Sequence, residues 1–122
     1  MRSANTKQRL QNSRLRSVFN MERLVIYVPS CRFKCGGSVG EVALKYCFTS
    51  EINAIRYIKN FNLFNAGLLE IAKSFGFSEN DELTINDTYN SSSNVRVFSL
   101  THVKSECTLT FTFSIQTVIT LV

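Results

Sequence analysis

The segment Cys107–Ile115 carries the sequence feature that most constrains the fold. Apolar and hydroxyl side chains alternate along it without interruption. One set comprises Leu109, Phe111, Phe113 and Ile115, and the other comprises Thr108, Thr110, Thr112 and Ser114. Because successive side chains of a β-strand point to opposite faces of a sheet, this alternation predicts a strand with one buried face. We expect the Phe face to meet helices and the hydroxyl face to meet solvent or a partner.

Two strands are predicted ahead of the helical region. Arg23–Pro29 is a short apolar run rich in Val and Ile, which favours a buried strand. Pro29 should end its pairing, since proline has no N–H to donate. Ser30–Gly40 contains three glycines and predicts a loop, and Glu41–Phe48 alternates as a second strand would.

The centre of the chain has helical spacing. Thr49-Ser50-Glu51 is typical of a helix start, and Ile52, Ile55 and Ile58 follow it at helical intervals. A second apolar stripe runs over Leu68–Phe75, with Gly76 as the expected C-terminal cap. Three asparagines between residues 60 and 65 indicate a break, so a helix pair is predicted over about residues 50–76.

The last third again has a β pattern. Leu83 and Ile85 alternate, Asn86–Asn94 predicts a polar turn, and Val95–Val103 predicts the next strand. After Ile115 the alternation changes phase, and Val118–Val122 runs uncharged to the end. Such a segment at a sheet edge would be open to pairing with another chain.

The element order is therefore β-β-α-α-β-β-β. Consecutive strands at short spacing imply an antiparallel sheet of about five strands, with the helices segregated to one face of an α+β fold. We expect residues 21–122 to form this single domain and residues 1–20 to form a flexible arm. The length of 122 residues suits one core.

The net charge of +5 belongs to that arm. Of the 14 Lys and Arg residues, five lie within residues 1–20, and none of the nine acidic residues does, so the remainder is neutral. The five are Arg2, Lys7, Arg9, Arg14 and Arg16. An acid-poor, Arg-rich arm could bind phosphate backbones, could be a cleavable mitochondrial transit peptide, or could have no role. Translation from Met21 would remove it.

The expected cellular compartment follows from the apolar segments of the sequence. The apolar run Leu24–Val28 is shorter than the roughly 7–15 residues of a secretory core segment. No stretch approaches the roughly 18 apolar residues of a membrane helix. We therefore expect an intracellular, cytoplasmic protein with reduced thiols, and a mitochondrial one if the arm is a transit peptide.

Four cysteines and one histidine are the residues that could bind a metal. Cys31 and Cys35 are separated by three residues, and Cys47, His102 and Cys107 are scattered. Zinc sites usually combine two tight pairs, which this spacing does not provide. We predict no metal and no cofactor.

The sequence gives equally weak support for a catalytic site. His102 would have to serve any base catalysis, yet no acid lies near it in sequence. Arg32 and Lys34 could favour thiolates at Cys31 and Cys35, although adjacency alone does not lower a thiol pKa. The glycines after Cys35 match neither phosphate-binding loop pattern. We predict no catalytic residue and no enzyme.

The segment Leu68–Asn80 (LLEIAKSFGFSEN) resembles the second helix-turn-helix region of AraC-type regulators, with its Ile-Ala and Gly-Phe-Ser elements. The resemblance covers about a dozen residues and implies an aromatic-rich helix after it. Glu82–Asp87 instead has a strand pattern, so no DNA-contact residue is assigned from it.

The sequence thus favours a small non-enzymatic protein-interaction module that acts through its sheet face or its C-terminal strand. A compact inhibitor encoded by a virus or mobile element, or the product of a recent open reading frame, would fit this description. One alternative is a nucleic-acid-associated protein that binds through the five basic arm residues. A mitochondrial protein with a cleavable arm is the other.

Overall fold

The computed structural model describes residues 23–121, so the predicted arm and its five basic residues lie outside the described range. Within it, five antiparallel strands form one sheet in the order β2-β1-β5-β4-β3. The elements are β1 Arg23–Cys35, β2 Ser38–Val42, α1 Glu51–Lys59, α2 Ala66–Ser74, β3 Leu83–Asn90, β4 Val95–His102 and β5 Thr108–Leu121. The α+β class and the order β-β-α-α-β-β-β are as predicted.

The alternating strand β5 lies at the centre of the sheet. Leu109, Phe111 and Phe113 have no exposed surface, and they share a core with Ile58 of α1 and Leu68 of α2. The hydroxyl side chains between them are half-buried or exposed. The expectation that the Phe face meets the helices is confirmed, because burial of apolar surface holds the helices to this face.

Pro29 does not end β1, contrary to prediction. The strand runs on to Cys35, with Pro29 in register with Ile115 of β5. Tyr27, two residues earlier, exchanges both backbone hydrogen bonds with Phe48, on the side away from β5. Alternate residues direct their backbone groups to the same side of a strand, so the missing N–H of Pro29 also faces away from β5. Proline therefore removes no bond from this ladder.

The predicted loop Ser30–Gly40 and the predicted strand Glu41–Phe48 are both misplaced. Ser30–Cys35 belongs to β1, and only Gly36 and Gly37 form the turn to β2, which ends at Val42. Gly36 has φ +60°, the left-handed value that a tight two-residue hairpin requires at its first turn position. Beyond β2, Phe48 makes an isolated bridge to Tyr27.

Two of the last three strands, β3 and β5, are longer than expected, whereas β4 ends one residue earlier, at His102. Asn86–Asn90 continues β3, paired as far as Asn90 with Val95, so the turn shortens to residues 91–94. The strand β5 also continues beyond Ile115 to Leu121 without a break in its register with β1. Pairing with a neighbouring strand overrides the low strand propensity of Asn and Asp.

The helix pair forms where predicted, and side chains define its ends. The Asn65 side chain accepts a hydrogen bond of 3.0 Å from the Leu68 backbone N–H at the start of α2. At the end of α2, Gly76 has φ +86° and donates to Lys73, and Phe77 donates to Ala72. This is the glycine-terminated cap predicted from the sequence. The strand β3 follows, so the segment that resembles AraC-type regulators does not continue into the aromatic-rich helix of that family.

Candidate functional site

The C-terminal half of β5 and the start of β1 form a two-stranded extension of the sheet. We call Arg23–Val28 with Gln116–Leu121 the terminal ribbon. The last pair between β4 and β5 joins Arg96 and Phe113. Within the described residues, β5 is therefore central up to Phe113 and lies at an open edge over Gln116–Leu121.

The direction of the backbone groups along this edge follows from the register. The backbone N–H and C=O groups of Tyr27 point to Phe48, away from β5, so those of the even-numbered residues of β1 point to β5. Their partners in β5 are also even-numbered, as in the pair of Ile26 with Val118. The N–H and C=O groups of Thr117 and Ile119 consequently point to the open side. In the part of the chain that the structure describes, no strand lies there to bond with them.

The ribbon exposes apolar side chains on both of its faces. Ile119 is 55% exposed on the helix side, and Val118 is 41% exposed beside Ile26 on the other side. From Thr108 to the end, the chain carries no charged side chain. Exposed, uncharged strand edges readily add another strand, because the row of backbone groups on such an edge is ready to pair.

The edges formed by β2 and β3 differ from this one. The strand β2 is only five residues long and carries Glu41, which pairs with Arg32 at 3.4 Å. The strand β3 presents Asn86, Asp87 and Asn90. Short or polar edges are poor templates for strand addition. The β5 edge is thus more favourable for pairing than the β2 and β3 edges.

Two of the four cysteines meet in the fold. The Sγ atoms of Cys35 and Cys107 lie 3.8 Å apart, although the residues are 72 positions apart in sequence. Cys31 is buried on the same strand as Cys35, and Cys47 is exposed between β2 and α1. Within the described residues, no three Cys, His, Asp or Glu side chains are grouped so as to hold a metal ion.

The thiols of β1 are not activated by their basic neighbours. Burial raises the pKa of Cys31 to about 12. Burial also raises the pKa of Cys35, and the hydrogen bond and charge of Cys107 act in the same direction. Both shifts disfavour thiolate, which contradicts the reading that Arg32 and Lys34 make these cysteines reactive.

His102 has the acid partner that the sequence does not reveal. Asp81, from the turn before β3, places Oδ2 3.0 Å from Nε2 of His102. The imidazole stacks on the Phe77 ring with centroids 4.2 Å apart. The hydrogen bond to His102 and another from the Ser78 N–H lower the pKa of Asp81. Within the described residues, no Ser or Cys side chain donates to this histidine, so the pair is interpreted as a structural contact between the turn before β3 and the end of β4.

An apolar groove of about 550 Å³ opens between α2 and the strands β3 and β4. Leu68, Phe77 and Phe98 lie in its floor, and Phe64 and Ile85 are exposed at its rim. The groove lies near the start of β5, whereas the ribbon is at the end of that strand. This groove is a second apolar surface. No sequence pattern predicted it, because its lining residues come from four separate elements.

Comparisons with protein-family models, curated proteins and solved structures find no match to this chain. Functional inference therefore rests on its own geometry. Within the described residues, no helix is long and apolar enough to cross a membrane.

Proposed function

We propose that the protein is a non-enzymatic interaction module that binds an extended segment of a partner protein along the open edge of β5. The observation that supports this most directly is the row of backbone groups at Thr117 and Ile119, which face no other strand among residues 23–121. A partner strand placed there would extend the sheet and pair with both residues. This mode of recognition obtains affinity from main-chain hydrogen bonds and selectivity from alternate side chains.

The side chains around this edge favour an uncharged partner strand. Ile119 and Val118 offer apolar contacts on opposite faces, and no charged side chain follows Thr108 in the sequence. A bound strand with β-branched residues would cover both, since such residues pack well on a pleated surface. A charged strand would lose solvation without gaining an ion pair.

The test compares two proline variants of the full chain. Thr117→Pro removes an N–H from the open edge of β5, and Val25→Pro removes one from the opposite edge of the ribbon. Both leave the β1–β5 ladder intact, as Pro29 does in the native strand. Proteins retained from an extract, with and without nuclease treatment, are identified for each variant, and a partner found with wild type is then purified and titrated.

We expect Thr117→Pro to weaken binding about tenfold or more, because one backbone hydrogen bond contributes about 0.5–1.5 kcal/mol and the ring also blocks the strand. Val25→Pro should bind as wild type does. In the wild-type complex, hydrogen exchange should slow at the Thr117 and Ile119 amides and change little at Val118, whose amide faces β1.

Three outcomes would contradict the proposal. One is equal binding by wild type and Thr117→Pro, with circular dichroism showing that the variant is folded. Another is slowed exchange in α2, β3 or β4, which would place the partner in the apolar groove. The third is retention that nuclease abolishes, which would favour binding to nucleic acid through Arg2, Lys7, Arg9, Arg14 and Arg16.

A further inference from the structure

The cysteine pair at one end of the sheet brings together two thiols of unequal accessibility. Cys35 is the last residue of β1 and is 9% exposed, whereas Cys107 is exposed just before β5 begins at Thr108. Their Sγ atoms are 3.8 Å apart. A disulfide requires about 2.05 Å between its sulfur atoms, so the two Sγ atoms must move about 1.8 Å closer together.

The positions of the two cysteines allow that approach. Cys35 is in register with Leu109, so Cys107 occupies the diagonal position on the same face. Diagonal cysteines inside a ladder are usually too far apart for bridging without backbone movement. Here Cys35 adjoins the Gly36–Gly37 turn and Cys107 follows Glu106, which has φ +59° in the β4–β5 turn. Turns adjust more easily than strand interiors.

We propose that Cys107 is a site of thiol–disulfide exchange and that Cys35 resolves its adduct into an intramolecular disulfide. The co-reactant is a low-molecular-weight disulfide, RSSR. The Cys107 thiolate attacks one sulfur of RSSR, forming a mixed disulfide and releasing one thiolate. Cys35 then gives up its proton and attacks the Cys107 sulfur, releasing the second. Overall, two cysteine thiols and RSSR give one protein disulfide and two RSH.

The order of the two steps follows from exposure and distance. Cys107 is the accessible thiol, so RSSR reaches it first. Burial raises the pKa of Cys35, so little Cys35 thiolate is available to attack an external disulfide. Its short distance to the Cys107 sulfur compensates for its low thiolate fraction in the second step.

The other two cysteines serve as internal comparisons. Cys31 is 1% exposed and lies four residues before Cys35 on β1, which places it roughly 13 Å away along the strand. Cys47 is exposed, and no other thiol lies within hydrogen-bonding distance of it. Cys47 should therefore form a mixed disulfide that persists.

The experiment treats the reduced full chain with glutathione disulfide, quenches at intervals by alkylation, and maps the adducts by peptide mass spectrometry. Wild type should yield a Cys35–Cys107 disulfide together with a stable adduct on Cys47. In Cys35→Ser, the adduct on Cys107 should last at least about tenfold longer than in wild type. Cys47→Ser, the matched control, should still form the Cys35–Cys107 disulfide.

The proposal is overturned if the Cys107 adduct has the same lifetime in wild type and Cys35→Ser, or if Cys107 pairs with Cys47 instead. A parallel reaction in denaturant shows whether pairing depends on the fold. There the preference for Cys35–Cys107 should disappear, and its persistence would also overturn the proposal. Binding at the β5 edge does not enter either readout, so this test is independent of the proposed function.

Discussion

Arg96 is the one charged side chain buried among the described residues, with 8% of its surface exposed. Its Nε and Nη2 atoms donate to the two carboxylate oxygens of Asp87 at 2.9 and 2.8 Å. Its Nη1 donates to the carbonyls of Ile58 and Phe61 at 2.8 and 3.1 Å. These carbonyls lie at the C-terminal end of α1, where a cation is favoured by the helix dipole. One side chain thus fixes the helix to the sheet.

Replacing Arg96 should therefore be costly. We expect Arg96→Met to lower the free energy of unfolding by about 3 kcal/mol, since it leaves two carbonyls and a carboxylate without their partner. Urea denaturation at neutral pH measures this. The matched control is Arg32→Met, which removes an ion pair whose side chains are 77% and 72% exposed and should cost no more than about 0.5 kcal/mol. Equal losses would show that Arg96 does not fix the helix.

The same ion pair gives stability a dependence on acid pH. The hydrogen bond and charge of Arg96 lower the pKa of Asp87 in the folded state. A carboxylate with a lowered folded pKa stabilises the protein above its unfolded pKa, and this contribution disappears as pH falls through the folded value. The free energy of unfolding should thus decrease below about pH 4.

Asp87→Asn should decrease less steeply over that acid range, as judged by urea unfolding at several pH values. Asp81→Asn is the comparison, because His102 lowers the pKa of Asp81 as well. If Asp87→Asn retained the wild-type slope, the charge of Asp87 would not contribute to the ion pair.

At the scale of elements, the first hairpin depends on a glycine. Gly40 lies opposite Phe33 across β1 and β2, and the Phe33 ring covers it so closely that an added Cβ would overlap the ring. The ring also packs edge-on against Phe75 at 5.8 Å and lies 6.3 Å from Phe111. Gly40 therefore allows a β1 side chain to reach the core at the end of α2.

Gly40→Ala should destabilise the protein by about 1–3 kcal/mol, because the ring has to leave its packed position. Gly37→Ala is the control, since a Cβ there meets nothing within 4 Å and the substitution should cost no more than about 0.5 kcal/mol. In a Phe33→Ala background, Gly40→Ala should add little. A full additional loss in that background would assign the effect to the backbone of β2.

The elements also show what sequence could and could not predict. Alternation in β5 and capping at Gly76 are local signals, and both predicted the observed structure. The strand boundaries predicted at Pro29 and Asn86 were wrong. The energetic cost of placing either residue in a strand depends on which side of that residue pairs with a neighbouring strand. That information comes from register, which the sequence does not contain.

The sequence likewise predicted some features of the candidate sites and not others. The uncharged end of β5 was visible as a segment prone to pair, whereas its open edge depends on β4 pairing no further along β5 than Phe113. The contacts of Asp81 with His102 and of Cys35 with Cys107 join residues 21 and 72 positions apart. No spacing motif predicts such contacts, since the chain topology alone brings them together.

At the scale of the whole molecule, the cysteine pair joins the two hairpins that enclose the helical segment. The chain leaves the sheet after β2, forms both helices, and returns at β3. A Cys35–Cys107 bond would therefore enclose β2, both helices, β3 and β4 in one loop, with β1 and β5 outside it. Closing a loop of 72 residues restricts the unfolded chain and stabilises the fold by roughly 4 kcal/mol in the chain-entropy account. We expect the oxidised full chain to unfold at higher urea concentration than the reduced chain. Cys35→Ser should show no difference between oxidising and reducing conditions. A lower midpoint for the oxidised form would instead mean that the bridge strains the end of the sheet by more than loop closure contributes.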